Sequence, residues 1–209
     1  MRERAMNRPQ DIRVDLLLIG QMVRPGSRVL DVGCGDGALL DYLVSERGAD
    51  ARGIEISQAG VNACVARGLS VVQGDADTDL KDYPSGAFDY AILSQTLQAT
   101  RNPRNVLIEL LRIGKRAIVS FPNFGYWRVR GGLFFKGCMP NTGTLDNPWY
   151  STPNIHFCTI RDFVNLCNEL GITIEKSLAI SSSGRPIPWA HSLWVANIAA
   201  DQGLFVLRR

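Results

Sequence analysis

The segment 29–40, VLDVGCGDGALL, constrains the fold more than any other part of the chain. A short apolar run of strand character carries an acid, Asp31, near its end. Gly33, Gly35 and Gly37 then occupy alternate positions before a second apolar run takes up helical spacing. Glycine adopts positive φ at little steric cost and lets a ligand approach main-chain N–H groups with no Cβ in the way. A strand joined to a helix through such residues is therefore either a tight turn or a binding turn. In both cases it is the first half of a βαβ unit, which commits the chain to a parallel sheet with helices on its faces.

The rhythm continues downstream. ALLDYLVSERG places Leu39, Leu40, Leu43 and Val44 on one helix face, with Gly48 as its stop. ARGIEI reads as a second strand; Ser57 then caps a helix with Val61, Cys64 and Val65 on one face and Gly68 at its end, before a third strand in LSVVQG. FDYAILS is a fourth strand. NPRNVLIELLRIG is a helix capped by Asn102, with Pro103 at its first position and Gly114 at its end, and KRAIVSF is a fifth strand. At about 122–158 an aromatic, Gly-rich and Pro-rich insertion interrupts the alternation. Thr159 to Asp162 then forms a capping box, opening a helix with Phe163, Leu166, Cys167 and Leu170 inward and Gly171 as its stop. ITIEKSLAIS is a sixth strand, HSLWVANIAAD a short helix and GLFVLRR a seventh strand. Ahead of the first strand, Ile12, Leu16, Ile19 and Val23 recur at helical spacing up to Pro25-Gly26. The pattern predicts an α/β fold, with a seven-stranded, mostly parallel sheet and helices on both faces, in one domain over residues 1–209.

Composition narrows the function classes. With 23 Lys and Arg against 20 Asp and Glu, the chain lacks the clustered basicity of a dedicated nucleic-acid binder. Near the basic start, Asp11, Arg13 and Asp15 break up the apolar residues, and the run Leu16 to Ile19 is too short for a signal sequence or a membrane span. The five cysteines are odd in number and have no C-x-x-C spacing, so neither a disulfide framework nor a metal site is indicated, and a cytoplasmic location is expected.

Three acids point to the ligand. Asp31, Glu55 and Asp75 stand at the ends of three successive strands, where an open α/β sheet collects its ligands. Converging there, they offer acceptors to the paired hydroxyls of a sugar and to an amino group. GCGDGA also satisfies the dinucleotide pattern G-x-G-x-x-G/A, so the glycines alone do not choose the ligand. A pyrophosphate is disfavoured beside Asp31, whereas a cofactor bearing an ammonium and a sulfonium is favoured there.

The acid followed by G-x-G-x-G resembles the first motif of the class I S-adenosylmethionine-dependent methyltransferases, and the likeness runs over nearly the whole chain. That resemblance implies a Rossmann-like sheet with one antiparallel C-terminal strand, and S-adenosylmethionine or S-adenosylhomocysteine as the bound cofactor. The implied contacts are Asp31, Gly33, Cys34, Gly35, Gly37, Glu55, Ile56, Asp75, Ala76 and Ser94. Glu55 would hold the ribose hydroxyls, Asp75 would face the adenine amine with the Ala76 backbone beside the ring, and Ser94 to Gln98 would lie near the methionine end. ILSQTLQATRNP, IVSFPNFGYWRVR, GCMP and WYSTPNIHFCTIRDF are more specifically similar to the MetW family of methionine-biosynthesis proteins. What that resemblance implies is a partner or regulator of homoserine O-acetyltransferase, with methyl transfer left open.

The insertion holds nine of the 17 aromatic residues, counted from Phe121 to Phe157. Phe124, Tyr126, Trp127, Trp149 and Tyr150 are a lid over the site, a docking face for a protein, or packing against the sheet. Arg128, Arg130 and Lys136 stand against one acid, Asp146, which suits a carboxylate ligand, an acidic partner or a solvated face. Neither His156 nor His191 has an acid at catalytic spacing, and no catalytic residue is assigned. SQTLQ follows the fourth strand where base-modifying amino-methyltransferases carry an N-P-P-aromatic element, and FPNFGYW follows the fifth, which argues against a nucleic-acid substrate. Two readings stand: a cofactor-binding regulatory partner of homoserine O-acetyltransferase, and an active methyltransferase on a small molecule.

Overall fold

The computed structural model of the chain describes residues 12–139, 142, 145 and 147–209. Its strands are β1 (Arg28–Val32), β2 (Asp50–Glu55), β3 (Ser70–Gln73), β4 (Phe88–Ser94), β5 (Gly114–Pro122), β6 (Thr173–Ile180) and β7 (Gln202–Arg208). They form one seven-stranded sheet in the order β3-β2-β1-β4-β5-β7-β6. The first five run parallel, and β7 is antiparallel to both β5 and β6. The expected class is thus the observed one.

Alternation along each strand explains why both faces are covered. Leu30 and Val32 in β1, Ala91 and Leu93 in β4, and Val119 and Phe121 in β5 enter one core; Val29, Tyr90, Ile92 and Ile118 enter the other. The first core is closed by α4 (Pro103–Ile113) and α6 (Ile160–Glu169), the second by α1 (Val14–Met22), α2 (Ala38–Arg47) and α3 (Gln58–Ala66). The caps are the expected ones. Ser57 accepts from Gly60 N, Asn102 accepts from Asn105 N with Pro103 at the start of α4, and Thr159 and Asp162 form a reciprocal capping box.

Two helix faces are narrower than their sequences suggest. Val44 and Val65 are 41 % and 58 % exposed, while Leu39, Leu40 and Leu43 in α2 and Val61 and Cys64 in α3 are buried. A stripe spaced by three and four residues fills each helix's contact, and the next apolar residue turns to solvent. Helix α1 starts at Val14, after Ile12; Asp11 and the basic residues before it lie outside the described residues. Among the described residues no helix is long and apolar enough to cross a membrane.

Inside the insertion the chain forms a helix that its sequence hides, α5 (Trp127–Lys136). Gly131 and Gly132 weaken its propensity, and Val129 is its buried residue. Its first turn is held by Arg130, whose Nε donates to Gly125 O at 2.6 Å, and Gly137 ends it in the left-handed region. Asn123 anchors the insertion to the body. Its Nδ2 donates to Asn197 O at 3.0 Å and Ala200 O at 2.8 Å, and its Oδ1 accepts from Gly125 N at 2.9 Å and Ile160 N at 3.2 Å. The carboxamide thereby ties α5's approach to the start of α6 and the end of α7 (Leu193–Ala199). Every hydrogen-bonding position of that side chain is filled, which gives the Asn of FPNFGYW a purely structural use.

Candidate functional site

Strand order reverses between β1 and β4, and the crevice at their carboxyl ends is where the glycine turn lies. A cavity of about 450 Å³ opens there, lined by Asp31, Gly33, Cys34, Gly35 and Ser94 together with Arg13 and Thr96. Gly33 and Gly35 have φ of +74° and +57°. A Cβ on Gly33 would collide with the Thr96 side chain, at 2.6 Å from Oγ1; at Gly35 nothing stands within 4 Å of that position, so the space beside its backbone is open to a ligand.

Asp31 is 2 % exposed, and its Oδ1 has no hydrogen-bond partner. Burial, and secondarily the nearby Glu55 carboxylate, push its pKa up to about 7. An unpaired carboxyl in a cavity wall is a costly arrangement unless a cationic or donor group meets it. Glu55, 8 % exposed, accepts from Gly35 N through Oε2 and from Ser57 N through Oε1, each at 2.8 Å. It thus braces the glycine turn while each oxygen keeps a lone pair. Gly60 is required for this, since a Cβ there would press on Glu55 Cγ at 2.7 Å and on Gly35 O at 2.8 Å.

The other expected contacts lie along the neighbouring strand ends. Ile56 is 62 % exposed just past β2, an apolar surface suited to a flat ring, and Gln73 Nε2 donates to its carbonyl. Asp75 accepts from Asp77 N through Oδ1 and pairs with Arg101 at 3.1 Å through Oδ2, so its carboxylate is already engaged. Ala76 packs half-buried against the core. Gly37 stands outside the cavity: it begins α2 at φ +80°, and a Cβ there would strike Leu69 and Cys64. Burial and Asp31 push the Cys34 thiol far up, which removes it as a nucleophile. Ser94 Oγ sits 3.2 Å from Ser120 Oγ.

Arg13 escaped the sequence reading. Its guanidinium forks onto buried Asp15, with Nη2 at 2.9 Å and Nε at 3.2 Å, in the same cavity as Asp31. No local pattern announces it, because only the packing of α1 on the sheet brings it there.

The aromatic residues of the insertion divide. Tyr126 is buried with Val129 and Leu145, and Phe124 meets Phe157 edge-on at 4.8 Å. Trp127, Phe134, Phe135, Trp149 and Tyr150 are exposed, Phe134 and Phe135 each at 83 %, and Arg128 lies 5.4 Å over the Trp127 ring. His156 is exposed, with its Nε2 3.4 Å from Arg101 O; His191 lines a separate cavity beside β6.

Comparison with known proteins adds four findings. The family model described as methionine biosynthesis protein MetW matches residues 13–207. A bifunctional methionine biosynthesis protein MetXA/MetW of Rhodopirellula baltica is 36 % identical over 181 residues, which is 81 % of this chain and 29 % of that protein; the chain therefore spans under a third of that relative's length. A ubiquinone biosynthesis O-methyltransferase of Hahella chejuensis is 32 % identical over 167 residues, covering 74 % of this chain and 69 % of that one. In architecture the chain matches an S-adenosylmethionine-dependent methyltransferase from Mesorhizobium loti at a TM-score of 0.69 and 18 % identity, over 95 % of this chain and 99 % of that one, which is a likeness of fold.

Proposed function

The chain belongs to the MetW family, and from that premise we propose that it is an S-adenosylmethionine-binding protein of methionine biosynthesis that acts with, or regulates, homoserine O-acetyltransferase. The observation that carries the cofactor part is the unpaired, buried carboxyl of Asp31 in the wall of the glycine cavity. It suits the ammonium of the methionine end. Glu55 keeps lone pairs for the ribose hydroxyls, Ile56 offers an apolar face to the adenine with the Ala76 backbone beside the ring, and Asp75 accepts from its amine while bound to Arg101. The cofactor, when bound, supplies a methyl group on a sulfonium; this chain's residues bind, orient and shield it.

The partner part rests on the exposed aromatic face of α5 and the segment after it. Phe134, Phe135, Trp149 and Tyr150 stand between 72 % and 83 % exposed, and Arg128 lies over the ring of Trp127, itself 54 % exposed. Large rings and arginine are what the buried centres of protein interfaces are made of. The bifunctional relative, named for a MetXA part and a MetW part in one chain, supports the pairing. The five free cysteines suit a cytoplasmic setting.

Methyl transfer to a small molecule is the second reading, favoured by a further cavity of about 490 Å³ that shares Arg13 and Gln95 with the first. Titrating S-adenosylmethionine and S-adenosylhomocysteine into the purified protein, with and without the acetyltransferase, separates the two. A regulator binds both cofactors and has its affinity changed by the partner by the same factor by which the cofactor changes partner affinity. Trp149→Ala and Trp127→Ala weaken capture of the acetyltransferase; unchanged capture counts against the docking face. Acceptor-dependent appearance of S-adenosylhomocysteine establishes the second reading.

A further inference from the structure

The cavity beside the glycine site is built differently from an ordinary ligand pocket. Its wall draws on Asp15 at the start of α1, Gln95 and Gln98 after β4, Asn154 in the insertion, Ser182 and Ser183 after β6, and Gln202 at the start of β7. The charged side chains among these, Arg13 and Asp15, neutralise each other in a two-point contact. The remaining polar side chains are carboxamides and hydroxyls. Ligand pockets are usually lined mostly by apolar groups with a few polar ones, and here polar residues outnumber apolar ones in the wall.

The carboxamides are held in a fixed order. Gln95 is a non-glycine residue at φ +54°, a strained backbone position that persists only where its surroundings determine it. Its N–H donates to Ser120 O at 2.9 Å, its Nε2 donates to Gln202 Oε1 at 2.8 Å, and its carbonyl accepts from Gln98 Nε2 at 2.7 Å. This chain of bonds ends on Gln98 Oε1, which has no partner although the residue is 4 % exposed. A walled-in acceptor at the end of an otherwise satisfied network is the atom that an occupant would complete.

We propose that this cavity is a second ligand site for a small, polar molecule of no net charge, of the amino-acid zwitterion class, with an N–H or O–H donor on Gln98 Oε1. A net cation or anion would give up water for a wall with no spare countercharge. An apolar molecule would strip water from Gln95, Gln98, Asn154 and Gln202 and return no hydrogen bonds. A zwitterion brings donors and acceptors in balance, as the wall does. Because Arg13 and Gln95 belong to both cavities, a ligand in one touches the wall of the other, and the two occupancies are coupled.

The inference goes beyond the cofactor reading and needs only the second cavity. Its test is titration of L-homoserine and L-glutamine into the full chain, followed by ligand-observed NMR, with n-butylamine, butyrate and 1-pentanol as cationic, anionic and apolar comparators. At least one amino acid binds about tenfold or more tighter than every comparator, a difference of about 1.4 kcal/mol. Gln98→Met, which removes the acceptor at similar volume, and Asn154→Ala, on a half-buried segment away from both cores, each weaken that binding. Asn154→Ala, outside the glycine cavity, keeps its affinity for S-adenosylhomocysteine, and a cooperative thermal transition reports that both variants are folded. Absence of binding by both amino acids, comparators that bind as well, or two variants that leave amino-acid binding unchanged would overturn the proposal. Failure of S-adenosylhomocysteine alone to bind would strike the cofactor reading and leave this one standing.

Discussion

Glu55 accepts the backbone N–H of Gly35 at 2.8 Å, so the carboxylate that ends β2 fixes the glycine turn that follows β1. Its other oxygen accepts from Ser57 N, at the entry to α3. Glu55→Gln keeps the size of the side chain but turns an amide nitrogen toward one of these two donors. Losing one hydrogen bond to a charged acceptor costs about 2 kcal/mol, which is read from urea denaturation. Calorimetry with S-adenosylhomocysteine is expected to show at least about a tenfold loss of affinity, equivalent to about 1.4 kcal/mol. A variant with unaltered stability would mean that the turn holds its shape without the carboxylate.

The second prediction concerns pH. Asp31 titrates at about 7 in the folded protein against an ordinary 3.8, so between those values the folded state binds the extra proton. Stability therefore falls as pH rises through this window, and the full cost is present above it. Asp31→Asn removes that cost: at pH 8 the variant should be more stable than the parent by on the order of 2 kcal/mol, with the gap closing toward pH 4. Cofactor affinity moves the other way. Ionised Asp31 meets an ammonium, so parent affinity rises from pH 6 to pH 8 while the variant binds weakly and without that slope. A parent titration that is flat across this range would separate Asp31 from the ammonium.

Asn123 provides the third. With both amide hydrogens and both oxygen lone pairs used inside the protein, Asn123→Ala orphans groups on α6, α7 and the loop before α5 at once. The expected loss is about 3 kcal/mol, from several buried hydrogen bonds at about 1 kcal/mol each. Thermal unfolding measures it, and a melting temperature equal to the parent's would contradict the anchoring role.

How far the sequence carried these conclusions depends on how local each signal is. The caps at Ser57, Asn102 and Thr159 act within one helical turn, and the strands announce themselves by apolar runs, so the order of elements could be read directly. The turn from Asp31 to Gly35 is equally local. Helix α5 was hidden because its two central glycines argue against it, while its hold comes from Gly125 and from Asn123's distant partners. The exposure of Val44 and Val65 is set by the width of each helix's contact, which periodicity does not record. Arg101 on Asp75, Arg13 in the cavity wall and the Gln95–Gln202 contact, which spans 107 residues, are products of topology. Nor does composition show that Gln95 has a left-handed backbone.

The placement of β7 between β5 and β6 has a bearing on how the chain is made. During synthesis β6 emerges before the strand it must pair with, and it waits until residues 202–208 follow. A chain interrupted anywhere in α7 is therefore short of two strands rather than one, since β6 has nothing to join. What such a fragment offers instead is the bare edge of β5, Ala117 to Pro122, whose unsatisfied ladder is a template for a neighbouring nascent chain.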